Sequence, residues 1–259
     1  MKNLIYYNKD KFDIYFKKIT NKYEKSNISD VYIKDINRFN IKNSIIIFEV
    51  RDFLIKSLIM PLDNYIGDRI LNSLKFYFNG FDDDILYDYF LLDSEINNGQ
   101  VRILLYAMKI KNDIQEILKY IDKSYLVVRP LQFVMIEYIS NKFNTKNGIL
   151  INKIDDLNYN IIMFKNSLIL LNNYINKETF NNLDMYIIDN IKEVKEEFKI
   201  SINNDIYFLN CDQDSILLSE KFKCTFLNHD VEGILREHDY IRSKFSKFWK
   251  KREDFKKNA

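Results

Sequence analysis

The part of the chain that most constrains its fold runs from Asn147 to Tyr174. Three short apolar runs lie within it, and two polar turns separate them. Apolar runs of this length, interrupted at short intervals by turn residues, are typical of antiparallel strands joined by tight turns. We therefore predict a three-stranded meander, whose strands are Ile149–Asn152, Tyr159–Phe164 and Leu168–Leu171.

The first turn of this meander, Lys153–Asn158, lies where a nucleotide-binding α/β domain would hold phosphate. It contains Asp155 and Asp156 but no glycine. Glycine lets backbone N–H groups close around a phosphate without a steric penalty. The turn therefore keeps acidic residues, whose presence turn chemistry alone also explains, and lacks the residue type that phosphate loops use.

Length and composition limit the class of protein. A chain of 259 residues with 47% hydrophobic residues can bury a substantial core, as one large domain or as two lobes. The 39 basic and 37 acidic residues give a net charge of +2, which disfavours nucleic acid as a partner. Cys211 and Cys224 are too few for a disulfide framework or a four-ligand zinc site, and they fit a reducing cytoplasm. We see no secretory signal and no apolar run of about 18 residues, so we expect no membrane crossing within this sequence.

The rest of the chain alternates strand and helix patterns. We expect one hairpin from Leu4–Tyr7 and Asp13–Phe16, and a second from Ser44–Val50 and Phe53–Met60. Further strands are expected at Tyr87–Leu92, Val101–Met108, Tyr125–Arg129, Ile206–Leu209 and Cys224–Leu227. Helices are expected from Asp63 to Gly80, from Asn112, over Leu131–Lys142, over Lys177–Phe198 and from Asp230.

The C-terminal segment is basic. From Arg242 to Lys257 there are eight Lys or Arg residues and two acids. A solvated helical end and a segment that lies at a membrane surface, or just before a membrane span, both explain such an excess. The residues concerned are Arg242, Lys244, Lys247, Lys250, Lys251 and Arg252.

Other polar and aromatic clusters have simple structural explanations. Asp82–Asp84 lacks the alternating ligands and the bidentate glutamate of a calcium loop, so a solvated turn is expected. His229 and His238 lie nine residues apart without a completing carboxylate pattern, so no metal site is predicted. The aromatic residues at positions 76, 77, 78 and 81 are assigned to the core.

Four features in a fixed order carry a resemblance to a known family. They are an apolar strand end followed by proline (Ile59–Pro61), an amphipathic helix (Ile66–Phe78), an acidic stretch entering a tyrosine-containing strand (Asp82–Tyr89), and an apolar strand (Ile103–Ala107). In this order and spacing, residues 45–200 resemble the type IV pilus assembly protein PilM, a family similar to actin and FtsA and to the cytoplasmic domain of the type II secretion protein GspL.

The resemblance implies an α/β, actin-like fold of two lobes, here degenerate and shortened. It implies a first lobe over residues 1–145, which includes a strand-rich subdomain at about 45–108, a second lobe over 146–229, and a basic tail over 230–259. It also implies a place at the cytoplasmic face of an inner-membrane pilus or secretion platform. The implied partners are the N-terminal peptide of a PilN-like membrane protein and the complex of the pilus assembly ATPase.

Departures from the family bear on mechanism. Actin-like ATPases use Asp-x-Gly turns to hold the metal and phosphate, and the second such turn aligns here with Asn152–Lys153–Ile154. The first turn has Tyr7–Lys9, and the adenosine loop has Asn210–Asp212, so all three glycine positions are missing. A β-branched residue at 154 would resist a positive φ. We expect nucleotide binding to be weak or lost, which leaves a vestigial pocket at Asn152, Ile154, Asp155 and Asp156 and no expected cofactor.

These features predict a non-catalytic scaffold that binds a partner's extended peptide by strand addition or in a groove. The residues expected to contact that peptide are Phe48, Arg51, Phe53 and Lys56. Two alternatives remain open from the sequence. One is an actin-like ATPase that tolerates ATP without the glycines, and the other is the cytoplasmic part of a GspL-like protein whose basic tail precedes a membrane span.

Overall fold

A computed structural model gives the fold. It describes residues 3–8, 11–17, 23–26, 44–51, 53–78, 85–93, 99–109, 127–211, 218 and 220–237. The helix expected from Asn112, the acidic run Asp82–Asp84, Gly80, and the basic tail all lie outside the described residues.

Strands outnumber helices in the described residues. The strands are β1 (Asn3–Asn8), β2 (Lys11–Lys17), β3 (Tyr23–Lys25), β4 (Ser44–Phe48), β5 (Phe53–Pro61), β6 (Ile85–Asp93), β7 (Gln100–Lys109), β8 (Val127–Pro130), β9 (Asn147–Lys153), β10 (Asn158–Lys165), β11 (Leu168–Asn176), β12 (Asp205–Leu209) and β13 (Lys223–Leu227). The helices are α1 (Ile66–Tyr77), α2 (Leu131–Phe143), α3 (Lys177–Phe180), α4 (Leu183–Phe198) and α5 (Val231–Glu237).

Two five-stranded sheets repeat one strand order. The first is β3-β2-β1-β4-β8 and the second is β11-β10-β9-β12-β13. In both sheets, the strands that come first in sequence pair antiparallel and a later strand adds in parallel. In the first sheet β2 is antiparallel to β3, and β1 is parallel to β4. In the second sheet β10 is antiparallel to both of its neighbours, and β9 is parallel to β12. This duplicated order confirms the predicted α/β, actin-like fold class.

By its contacts the chain divides into two compact units. The first comprises residues 1–14, 27–128 and 244–259, and the second comprises 15–26 and 129–243. Helix α2, which the sequence interpretation assigned to the first lobe, belongs to the second unit by this measure. The lobe boundaries drawn from the resemblance stay a prediction.

The second expected hairpin is wrong. Both of its strands form, but β4 pairs with β1 in the first five-stranded sheet, whereas β5 pairs with β7 in a separate sheet. Every residue of β4 is buried, as is usual for a central parallel strand covered on both faces. A continuous apolar run of this kind identifies a strand but not its neighbour, and the strand that follows in sequence is not the one it pairs with.

The third sheet, in the order β5-β7-β6, forms a small subdomain with α1. Helix α1 buries Ile70 and Leu74 against the sheet, as its four-residue apolar repeat predicts. Phe78 packs beside that core, but the Phe76 side chain is 80% exposed. The assignment of Phe76 to the core was therefore wrong, because position 76 lies on the side of the helix opposite Ile70 and Leu74.

The meander is confirmed. Strands β9, β10 and β11 pair antiparallel in sequence order, and β12 then adds parallel to β9. The single helix expected over 177–198 is instead two helices, separated at Asn181 and Asn182. The Asn176 side chain caps the first of them by accepting the N–H of Thr179, and the Phe180 ring stacks on Tyr159 with ring centroids 3.8 Å apart. This stacking contact comes from tertiary structure and leaves no periodicity in the sequence.

The turn between β10 and β11 generates a stability prediction. Asn166 and Ser167 both have positive φ, at 51° and 67°, which is the two-residue hairpin turn that favours Asn-Gly. Serine pays a steric cost in this region that glycine does not. We expect Ser167→Gly to raise the free energy of unfolding by about 0.5 kcal/mol and the melting temperature by about 1–2 °C.

Thermal unfolding followed by circular dichroism measures this difference. The matched control is Ser201→Gly, since Ser201 has no positive φ and glycine there only adds freedom to the unfolded chain. A lower melting temperature for Ser167→Gly than for the natural chain would contradict the assignment of this turn.

Candidate functional site

The turn between β9 and β10 is closed by its own residues. The Asp155 Oδ1 atom accepts the backbone N–H groups of Leu157 and Asn158 and the side-chain amide of Asn158, each at 2.9 Å. The N–H groups of Ile154 and Asp155 donate to the Asn158 carbonyl at 3.0 and 3.4 Å. Four of the five backbone N–H groups of residues 154–158 are thus bonded within the turn.

The backbone of this turn also lacks the conformation of a phosphate loop. None of residues 154–157 has a positive φ, and the Ile154 side chain is half-buried. A phosphate loop aims several free N–H groups at one point. Here those groups are committed to Asp155 and Asn158, so an anion at the turn would have to break bonds that the turn already makes.

Asp156 is the other acid of the turn. Its carboxylate is 94% exposed and lies 2.8 Å from the ammonium group of Lys153. Hydrogen bonding to Lys153 lowers the pKa of Asp156, and the same contact raises the pKa of Lys153. An exposed pair of this kind contributes little to stability because water screens it.

Asn152 lies beneath the turn, at the end of β9. It is buried and sits directly across from Asn160 of β10. The Asn160 amide nitrogen donates to Asn172 Oδ1 at 3.0 Å and to the Asn173 carbonyl at 3.2 Å, while its buried Oδ1 has no hydrogen-bond partner among the described residues. Amide side chains thus line the position where the family resemblance places the aspartate of an Asp-x-Gly turn.

A second group of buried polar side chains lies at the start of α2, and sequence reasoning missed it. Arg129 pairs with Glu137 at 3.1 Å, and both side chains are at least 93% buried. The Gln132 amide donates to the Tyr174 hydroxyl at 3.0 Å. Glu137 is the only buried carboxylate among the described residues, and Arg129 compensates its charge. Separations of 8 and 42 residues leave no local signal for these pairs.

The loop after β12 keeps part of the expected backbone geometry. Asn210 has a φ of 52°, so asparagine occupies the left-handed region at a place where the family has glycine. The next residue, Cys211, bonds the Leu209 carbonyl at 3.2 Å through its thiol. Burial raises the pKa of this thiol to about 12, so it is not a nucleophile at neutral pH. Asp212 and Lys9 lie outside the described residues.

The four predicted partner-binding residues differ in accessibility. Phe48 is 3% exposed and Phe53 is 9% exposed, stacked on Tyr106 at 5.4 Å. These two buried side chains are not exposed for contact with a peptide, whereas Arg51 is exposed and Lys56 is half-buried. The assignment of the four residues to peptide binding stays a prediction. Within the described part of the chain, β5 has β7 as its only strand neighbour. The sequence analysis did not identify the other edge of β5 as a candidate surface. Ile59 lies on β5, and its side chain is 53% exposed.

The described residues contain no group of three or more His, Cys, Asp or Glu side chains placed to hold a metal ion. None of the described helices is both long and apolar enough to cross a bilayer. The six basic tail residues named from the sequence lie beyond residue 237 and outside these ranges.

Comparisons with known proteins find similarity at the level of structure. No protein-family model and no curated protein sequence matches the chain. The cytoplasmic domain of EpsL, an inner membrane component of the type II secretion system of Vibrio cholerae, is 8% identical, with a TM-score of 0.55 over 94% of this chain and 96% of that one. The chain therefore shares the fold of that domain.

Two further structures show weaker similarity. One is a Bacteroides thetaiotaomicron protein with an actin-like ATPase fold and unknown function, 14% identical over 82% of this chain and 83% of that one, with a TM-score of 0.47. The other is a PilM–PilN type IV pilus biogenesis complex, 11% identical over 80% of each chain, with a TM-score of 0.48.

The two acids of the β9–β10 turn are predicted to differ in their effect on stability. Asp155→Ala removes the carboxylate that accepts four hydrogen bonds from Leu157 and Asn158, and we expect it to lower the free energy of unfolding by about 1 kcal/mol, as loss of a helix cap does. Asp156→Ala removes only an exposed ion pair, and its effect should stay within about 0.5 kcal/mol.

Urea denaturation measures both changes. Asp155→Asn is the matched control, because its amide oxygen can still accept the two backbone N–H groups, so it should recover most of the loss. Equal effects of the two alanine substitutions would show that the carboxylate of Asp155 does not hold this turn.

Proposed function

We propose that the chain is a non-catalytic scaffold of a pilus or secretion assembly platform. It acts at the cytoplasmic face of the inner membrane, where it binds the N-terminal peptide of a PilN-like membrane protein beside the assembly ATPase. The proposal that the chain is non-catalytic is supported by the closed β9–β10 turn. There Asp155 and Asn158 accept hydrogen bonds from the N–H groups that a phosphate would need.

The peptide-binding half rests on the small subdomain. Strand β5 is nine residues long and forms one edge of the β5-β7-β6 sheet. An extended peptide that adds to an edge strand pairs with it through backbone hydrogen bonds, and the side chains along the strand then select the peptide's sequence. Arg51 lies two residues before β5, and Lys56 and Ile59 lie on β5. Because successive side chains of a strand alternate between the two faces of its sheet, a peptide at this edge would have basic Lys56 on one face and apolar Ile59 on the other.

Two further findings support the assignment to this machinery. The order of motifs over residues 45–200 resembles PilM, and the fold is that of the cytoplasmic domain of EpsL, a component of a secretion platform. The shared fold by itself does not carry a function. It supports the proposal because both points of similarity lead to the same class of membrane-bound assembly.

Titration with a peptide from the start of the PilN-like protein tests the proposal. We expect calorimetry to detect binding in the micromolar range, and Ile59→Lys to raise the Kd at least about tenfold, since a charge on an apolar contact is costly to desolvate. The chain offers a matched control in Leu91→Lys. Leu91 is as exposed as Ile59, at 54% against 53%, but lies on β6, at the opposite edge of the same sheet.

The control variant should bind within about twofold of the natural chain. No heat at high micromolar peptide would contradict the proposed partner. Equal losses for the Ile59 and Leu91 variants would contradict the β5 edge as the place where it binds.

A further inference from the structure

The outward face of α1 carries an ordered stripe of large and polar side chains. Tyr65, which directly precedes α1, and Arg69, Asn72 and Phe76 within it follow one another at intervals of four, three and four residues. This spacing places them on one side of the helix, opposite the buried Ile70 and Leu74. The Tyr65 side chain is 65% exposed and that of Phe76 is 80% exposed, so the core of the subdomain accounts for neither.

The spacing of the stripe matches the seam of a helix pair. Intervals of four, three and four are those of the a and d positions in a coiled coil. The aromatic residues stand at the two ends, about 16 Å apart at 1.5 Å per residue, and the polar residues lie between them. Arg69 is already bonded to Asp63 at 2.6 Å, which offsets part of its charge within the stripe.

The stripe is also complementary to itself when the direction of the helix is reversed. In an antiparallel pair of α1 helices, Tyr65 of each copy lies beside Phe76 of the other, and Arg69 lies beside Asn72. Aromatic residues thus meet aromatic residues, with the edge-to-face or offset stacking that such rings prefer. A two-fold interface requires one patch to fit its own copy in this way.

The charges beside the stripe fit the same arrangement. Asp68 and Lys75 are both exposed and lie on one flank of the seam, seven residues apart. Flanking positions of this kind face each other across an antiparallel helix pair, so Asp68 of one copy meets Lys75 of the other, twice by symmetry. A parallel pair would not bring these two side chains together.

We propose that α1 is a self-association surface, through which two copies of this chain pair antiparallel. The occupant is a second copy because both the order of side chains and the flanking charges are self-complementary. The helix is 12 residues long, or about 18 Å, so its interface is smaller than that of a permanent dimer. The expected association is reversible and concentration-dependent.

Pairing through the outward side of α1 does not use the β5 edge. The helix covers one face of the sheet, whereas the edge lies along its side. A dimer would therefore present two such edges, and a partner with more than one copy in the membrane would be held by both. Self-association itself does not depend on the proposed peptide binding, and the two are tested separately.

Sedimentation velocity of the full chain, over a range from low micromolar to high micromolar, tests the pairing. We expect a monomer–dimer equilibrium within this range. Asp68→Lys and Lys75→Asp each place like charges together at both symmetric contacts, and each should raise the dimer Kd about tenfold. The double swap, Asp68→Lys with Lys75→Asp, restores both opposite-charge contacts and should return the Kd to within about threefold.

Further variants separate the surface from the fold. Phe76→Ala should raise the Kd at least about tenfold with an unchanged melting temperature, since its side chain is exposed. Glu196→Lys, an exposed charge reversal on α4, is the control and should not change the Kd. A chain that stays monomeric throughout, or a dimer whose double swap is no tighter than the single swaps, would overturn the proposal.

Discussion

The carboxylate of Asp155 is the contact on which the character of the candidate site depends. By accepting two backbone N–H groups and the Asn158 amide, it closes the turn at the end of β9. The actin-like fold offers its phosphate-binding chemistry at turns of this kind, through free N–H groups and glycine backbones. In this chain the same N–H groups stabilise the turn, so the frame of the fold is retained while the groups that would contact phosphate are used internally.

The polar side chains near that turn also bond to one another within the protein. Asn152 and Asn160 face each other across β9 and β10, and the buried Arg129–Glu137 pair fixes the start of α2. Removing one member of a buried ion pair is costly because it leaves the other charge without compensation. Such groups stabilise the packing of the second unit, whereas the proposed binding surfaces, β5 and α1, belong to the small subdomain.

Sequence patterns predicted which segments form strands and helices better than they predicted which strands pair with each other. The meander could be predicted because turn residues interrupt its apolar runs. The buried face of α1 could be predicted because its apolar repeat is regular. The pairing of β4 with β1 was not predicted, because the apolar sequence of a fully buried strand does not indicate which strand it pairs with. The helix break at Asn181 follows Phe180, whose ring stacks on Tyr159 in a tertiary contact that the sequence pattern does not show. At the site, the missing glycines were evident, whereas the Arg129–Glu137 and Gln132–Tyr174 contacts join residues that no local pattern connects.

We propose that the closed turn no longer supports nucleotide binding. A thermal-shift titration of the full chain with Mg-ATP, extended to millimolar concentration, tests it most directly, because a ligand that binds only the folded state raises the melting temperature in proportion to RT ln(1 + [L]/Kd). We predict no rise beyond scatter with Mg-ATP or Mg-ADP. A melting temperature that climbs steadily with Mg-ATP concentration would contradict the account and return the chain to the actin-like ATPases.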